Sequence, residues 1–205
     1  TPLLTLKGNI STQGDGINLS GGSISIDKIN GVLDITTRNT GNLIISSIIN
    51  SSTNDKGLTL FATDGAIEID AVSNIDDLIT NSSTLTNLNG DISLGGDFIA
   101  DTSAMKLADN LTISTVGNID LKNTKLTTTN TETTTTLSAT AMGTTIKLGD
   151  ITTGKLIVNS SALHLNGAVT TSKTIENSLD LSNSGAILLE DNSVLNGNVF
   201  LGSIG

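Results

Sequence analysis

The chain has 205 residues, with 10 Lys plus Arg against 20 Asp plus Glu, a formal charge of -10 and a sequence pI near 4.2. That balance excludes nucleic acid, and an anionic bilayer held by charge alone, because both select basic surfaces. With no cysteine and only three aromatic residues, Phe61, Phe98 and Phe200, neither disulfides nor thiolate metal sites hold the fold. The core must be built from Ile, Leu and Val, a composition that disfavours aromatic-lined catalytic or sugar-stacking clefts. Ser and Thr make up about 27% of the chain and proline occurs once, at Pro2, which is strand and turn composition. A hydrophobic share of 36% is too high for a disordered linker.

The first 20 residues carry alternating apolar positions at Leu4, Leu6 and Ile10, then Ile17 and Leu19, and predict the first strands. A unit of glycine, any residue, aliphatic, any residue, aliphatic then recurs: GSISI at Gly22, GVLDI at Gly31, GNLII at Gly41, GAIEI at Gly65 and GDISL at Gly90. It continues as GNIDL at Gly117, GKLIV at Gly154, GAILL at Gly185 and GNVFL at Gly197. Each copy predicts a glycine at positive φ followed by a strand of about four residues whose aliphatics face one way. Looser strands, GLTLF at Gly57 and NLTIS at Asn110, lie between the copies.

After Gly41 the copies are 24, 25 and 27 residues apart. Two or three strands in such a period suit one turn of a parallel β-solenoid, whose coils pair their backbones about 4.8 Å apart and line their aliphatics up in columns. Asn-Gly pairs at Asn30, Asn89, Asn166 and Asn196 mark corners, where both residues tolerate left-handed backbone. Asn ladders at those corners are a further expectation.

The segment 71–88 has the best helical spacing, at Ile75, Leu78 and Ile79, but Asn81, Ser82 and Ser83 interrupt it, so at most one helical turn is expected. The Thr-rich run 122–140 is expected to protrude between coils, because the repeat interval lengthens there to 37 residues. No run approaches the roughly 18 apolar residues of a membrane span; the most apolar, 43–49, is broken by Ser46 and Ser47. The fold class is therefore all-β, a β-helix of about 8–10 coils spanning 1–205, with a β-sandwich as the structural alternative. The chain starts at Thr1 and stops just after a repeat unit, so it is expected to be a piece of a longer protein.

No catalytic, cofactor-binding or metal-binding residue is assigned. His164, the only histidine, sits between Leu163 and Leu165 and is expected to face solvent; without a second His or a Cys it cannot build an ordinary transition-metal site. The acidic groups Asp76 with Asp77, Asp64 with Glu68 and Asp70, and Glu190 with Asp191 have few basic partners, Arg38 being the only arginine. They read as exposed faces rather than an acid and base pair. Six N-x-S/T sites, at Asn9, Asn18, Asn50, Asn81, Asn110 and Asn159, are what 22 asparagines in so Ser/Thr-rich a chain produce by chance. The Thr run lacks the once-per-coil register of a water-organising, ice-binding face.

GDGINLSGG, residues 14–22, resembles a calcium-binding nonapeptide repeat around Asp15, but it is not repeated in tandem and no calcium site is assigned. A broader resemblance rests on GNIDLKNTKLTT, NGDISLGGDF and GNLIISSI. These look like the repeat region of filamentous-haemagglutinin-like exoproteins, the bacterial adhesins secreted by the two-partner route. The NPNG-type and NPxL-type signals of that family's secretion domain do not occur here, so the resemblance implies an interior rod segment. It further implies a right-handed parallel β-helix on a bacterial outer surface or in the extracellular space, with no enzymatic activity. The partners it implies are neighbouring coils of the same or other chains, and glycans or proteins of host or bacterial surfaces. A filament subunit and a polysaccharide-binding or polysaccharide-cleaving β-helix are the alternatives.

Overall fold

The computed structural model describes residues 2–27, 31–49, 56–190 and 193–201. Among them every strand pairing is parallel and no helix forms. The chain winds as a β-solenoid with three strand ladders. The first climbs through Leu3–Leu6, Ser23–Ile26, Ile48–Ile49, Val72–Ile75, Ile92–Leu94, Thr112–Thr115 and Thr134–Ala139. The second climbs through Ile10–Thr12, Leu33–Thr37, Leu58–Ala62, Leu78–Ser82, Phe98–Thr102, Ile119–Leu121 and Thr145–Leu148. The third, from Ile17–Leu19 to Val194–Asn196, is a 9-stranded sheet and sets the count at nine coils. Toward the C-terminus Lys155–Leu165 and Leu179–Leu189 run through the corner between the first two ladders and fuse them into one 17-stranded sheet.

The all-parallel pairing rules out the sandwich, whose sheets are antiparallel. It also explains the alternating sequence. In a strand, neighbouring side chains point to opposite faces, so each short unit sends its aliphatics inward and its polar residues outward. Leu33, Leu58, Leu78, Phe98, Ile119, Ile146 and Leu163 form one inward column in register, each at most 1% exposed. Covering one such side chain contributes roughly 1.5–3 kcal/mol. Vertical neighbours in this column are as few as 17 residues apart, from Ile146 to Leu163, and as many as 27, from Ile119 to Ile146. Corners absorb the difference while the ladders stay in register.

One sequence expectation is met at its lower limit and two change. The segment 71–88 contributes one strand to each ladder, Val72–Ile75, Leu78–Ser82 and Thr86–Leu88, and no helical turn. The Thr-rich run 122–140 is no excursion. Lys125–Thr128 lies in the third ladder and Thr134–Ala139 in the first, each paired to the coils on both sides. The long interval that suggested a protrusion has another cause: the repeat unit is a strand, not a coil. Gly117 opens a second-ladder strand and Gly154 a first-ladder strand, so the distance between them mixes faces.

The role of the repeat glycines is the second change. Of the nine that open a unit, only Gly31, at φ 80°, and Gly197, at φ 157°, have positive φ. The others lie where coils touch: a Cβ on Gly41 would stand 2.6 Å from the Asp15 carbonyl oxygen, and one on Gly90 2.8 Å from that of Asp70. On Gly65 it would collide with the Gly41 carbonyl of the coil below. Glycine is needed there for backbone contact rather than for φ. Left-handed backbone is also taken by Asn39, Asn110 and Asn177 at turns and by Asn74 at a bulge within its strand, at φ 49° to 59°. None of these belongs to an Asn-Gly pair; Asn30 lies outside the described residues.

Candidate functional surface

With the aliphatics inside, the outer surface carries whatever the chain offers to partners, and most of its acids are already engaged in holding coils together. Asp77 Oδ1 accepts the Asp97 amide at 2.7 Å, Asp97 Oδ1 the Asn118 amide at 2.6 Å and Asn118 Oδ1 the Thr145 amide at 2.9 Å. These residues sit one before Leu78, Phe98, Ile119 and Ile146, so a ladder of Asp and Asn climbs the corner that leads into the second ladder. Its amides have no strand partner at that point, and a side-chain oxygen from the coil below satisfies each one. The same device recurs singly at Asn42 toward Ala66, Asp91 toward Thr112, Asn110 toward Thr134 and Asp150 toward Ala168, at 2.8 to 3.1 Å. The ladder differs from the expected one: two of its three acceptors are aspartates, and none of the Asn-Gly asparagines belongs to it.

This places the acidic groups singled out in the sequence. Asp77 is consumed by the ladder. Glu68 projects outward between buried Ile67 and Ile69 and accepts the Asn89 side-chain amide at 2.9 Å. Asp64 receives only a long contact from the Ser83 hydroxyl, at 3.5 Å, while Asp70 and Glu190 are exposed; Asp191 lies outside the described residues. His164 stands on the outer side of its strand, between Leu163 and Leu165 at 0% and 1% exposure, in register with Lys147 and Leu188. Asp15 is exposed near the start of the third ladder. Among the described residues no group of three His, Cys, Asp or Glu is placed to hold a metal ion, and no helix is long and apolar enough to cross a membrane.

Two aspartates each meet two lysines, across coils except for the pair of Asp120 with Lys122. Asp27 meets Lys56 at 3.1 Å and Lys7 at 3.7 Å, and Asp120 meets Lys147 at 3.6 Å and Lys122 at 3.9 Å. The Lys56 ammonium, through its hydrogen bond and charge and helped by Lys7, holds the Asp27 carboxyl below the usual carboxylate range.

One outward feature is only in part taken up by coil-to-coil bonding, through the Asn39 side chain, which donates to the Gln13 carbonyl at 2.6 Å. Thr36 and Phe61 are vertical neighbours on the second ladder. Just past the ends of their strands, at Thr37 and Ala62, come Arg38 and Thr63. Together with Asn39 these residues line an open depression. Among the described residues Arg38 makes no ion pair. In the sequence it stands out only by rarity, and nothing there puts it beside Phe61.

No family model matches the chain, and no curated protein or solved structure matches it either.

Proposed function

We propose that the chain is a non-catalytic structural and adhesive rod, secreted or displayed on a cell surface, that mediates attachment or aggregation. The observation that supports this reading best is the unbroken vertical pairing: each inner coil bonds through its backbone to the coil above and the coil below. Such stacking gives length and stiffness without any single site. Acids spent on corner ladders, rather than gathered in a groove beside bases, fit a scaffold better than a polysaccharide-cleaving enzyme. The resemblance of GNIDLKNTKLTT and its neighbours to filamentous-haemagglutinin-like exoproteins points the same way, toward an interior piece of an adhesin secreted by the two-partner route.

A second reading, a subunit of a self-assembling filament or sheath, is favoured by the outermost coils. Leu3 and Leu4 at one end, and Val194, Val199, Phe200 and Leu201 at the other, are 42–62% exposed. A further coil, of the same chain or another, would cover them. Small-angle X-ray scattering at several concentrations separates the readings. Nine coils at about 4.8 Å give a rod roughly 40–50 Å long. Constant length with rising concentration supports the spacer, growing length supports the filament, and a compact particle sinks both.

A further inference from the structure

We infer that Arg38, Phe61, Thr36, Thr63 and Asn39 form a binding site for a carboxylate-bearing sugar, such as a uronic acid residue of an acidic polysaccharide. The inference rests on the adhesive reading and supplies the contact that the reading lacks.

The argument starts from what is unusual about the two central residues. Of the three phenylalanines, Phe98 is fully buried in the core and Phe200 is on an outermost coil, where it is 42% exposed. Phe61 alone lies mid-rod and faces outward, in a column whose other members are Ser11, Thr36, Asn81 and Asp101. Its strand neighbours Leu60 and Ala62 fill the core, while the ring lies partly covered on the outer face. An aromatic ring on a polar column is a flat apolar platform, with a negative face suited to polarised C–H groups.

Beside it stands the only guanidinium of a chain with a net charge of -10. Every ion pair formed by the described residues uses lysine, and each binds an aspartate of this chain. The Arg38 fork is left for an external carboxylate, for which its planar pair of donors is well shaped. Its position is braced: the Arg38 amide donates to the Thr12 carbonyl at 3.2 Å, and the Asn39 side chain donates to the Gln13 carbonyl at 2.6 Å. Asn39 has left-handed backbone, φ 59°, which turns the chain sharply after Arg38 and keeps the depression open. Thr36 and Thr63 add two hydroxyls to its lining.

An apolar platform, a bidentate cation and flanking hydroxyls match a pyranose ring bearing a carboxylate and several hydroxyls. A peptide carboxylate would use the arginine but would leave the ring and threonines idle. The depression is open, which suits one unit of a long polymer lying across the rod.

The test is a titration of the folded chain with trigalacturonate, with its methyl ester and with an acetylated peptide bearing a free carboxylate, read by amide NMR shifts and calorimetry. The expected result is binding of the acid, shifts confined to the amides of Thr36, Arg38, Asn39, Phe61 and Thr63, and a weaker or absent response to the ester. Arg38→Gln should weaken binding about tenfold or more, and Phe61→Thr should weaken it by a similar factor. Arg38 is exposed, so Arg38→Gln should leave the melting curve where it is; Phe61 is partly covered, so the affinity of Phe61→Thr is read well below its own, lowered melting temperature. Equal binding of acid and ester, an unchanged Arg38→Gln affinity, or equal binding of the peptide overturns the proposal. Chain-coated beads separate its failure from that of the adhesive reading. If cells hold the beads but no acidic oligosaccharide binds, this site is rejected and adhesion stands; if neither occurs, both fall.

Discussion

Two stretches of the rod share one backbone and differ in what they put inside it. From Leu58 to Leu121 the inward positions are mostly aliphatic; of the four threonines buried there, Thr102 and Thr115 donate to the Ala104 and Gly117 carbonyls, while Thr80 and Thr86 lack any hydrogen-bond partner for their hydroxyls. From Thr124 to Thr153 threonine enters the interior repeatedly, at Thr124, Thr133, Thr135, Thr144 and Thr153, all at most 6% exposed. Here each hydroxyl is satisfied. Thr135 and Thr153 bond to each other at 3.1 Å, Thr124 to the Ala100 carbonyl at 2.9 Å, Thr133 to the Asn130 carbonyl at 2.8 Å and Thr144 to the Ala141 carbonyl at 2.7 Å. The ladders accept hydroxyls as readily as methyl groups provided that each hydroxyl finds an acceptor. Burial of a threonine is therefore no guide to its effect; its partner is.

The largest effect should come from breaking the aliphatic stretch outright. Ile119→Asp with Leu121→Asp puts two carboxylates into positions 0% and 1% exposed, with no base inside to pair them. The loss should exceed about 5 kcal/mol and abolish a single cooperative melt; an unaltered melting curve would show that the column is not what holds the coils. Next come the glycines, which test whether both stretches rest on the same backbone contact. Gly65→Ala presses on the Gly41 carbonyl and Gly154→Ala on the Thr131 carbonyl. Each should cost about 1–3 kcal/mol, whereas Gly8→Ala, with nothing within 4 Å, should leave the melting temperature where it is. A harmless Gly154→Ala would mean that the Thr-rich coil is looser than its neighbours.

The smallest effects sharpen the comparison most. Thr135→Val strands the Thr153 hydroxyl with only a 3.4 Å contact to the Lys155 carbonyl and should cost about 1–2 kcal/mol, while Thr135→Val with Thr153→Val should fall close to neutral. Thr80→Val removes an unpartnered hydroxyl and should stabilise by about 1 kcal/mol. Chemical denaturation of the three variants measures all of this. If Thr80→Val destabilises, the distinction between partnered and unpartnered threonines does not hold.

These particulars also show what could be read before the fold was known. Alternation in units such as GNIDL was enough to place Ile119 and Leu121 inside and Asp120 outside, and to anticipate stacked parallel coils, because strand periodicity is local. The function of Gly65 was not legible, since a contact with Gly41 depends on which coil lies beneath it. The inward turn of Thr135 was hidden for a related reason. In a run of threonines nothing alternates, and only the pairing with Leu156 and with the coil of Leu111 decides which hydroxyls go inside. Arg38 and Phe61 are 23 residues apart, and only a register that places Thr36 against Phe61 brings them to one depression.

The direction of the backbone bonds has a mechanical consequence. In a solenoid they run parallel to the long axis, so a pull between the two ends opens them one coil after another, as a zipper is peeled, instead of shearing many at once. Each coil of roughly 20 residues would pay out on the order of 70 Å of extended chain in place of the 4.8 Å it occupied. A tether built this way yields at modest load and lengthens many-fold before its covalent chain is strained, and the corner ladder through Asp77, Asp97 and Asn118 marks where that yielding should hesitate.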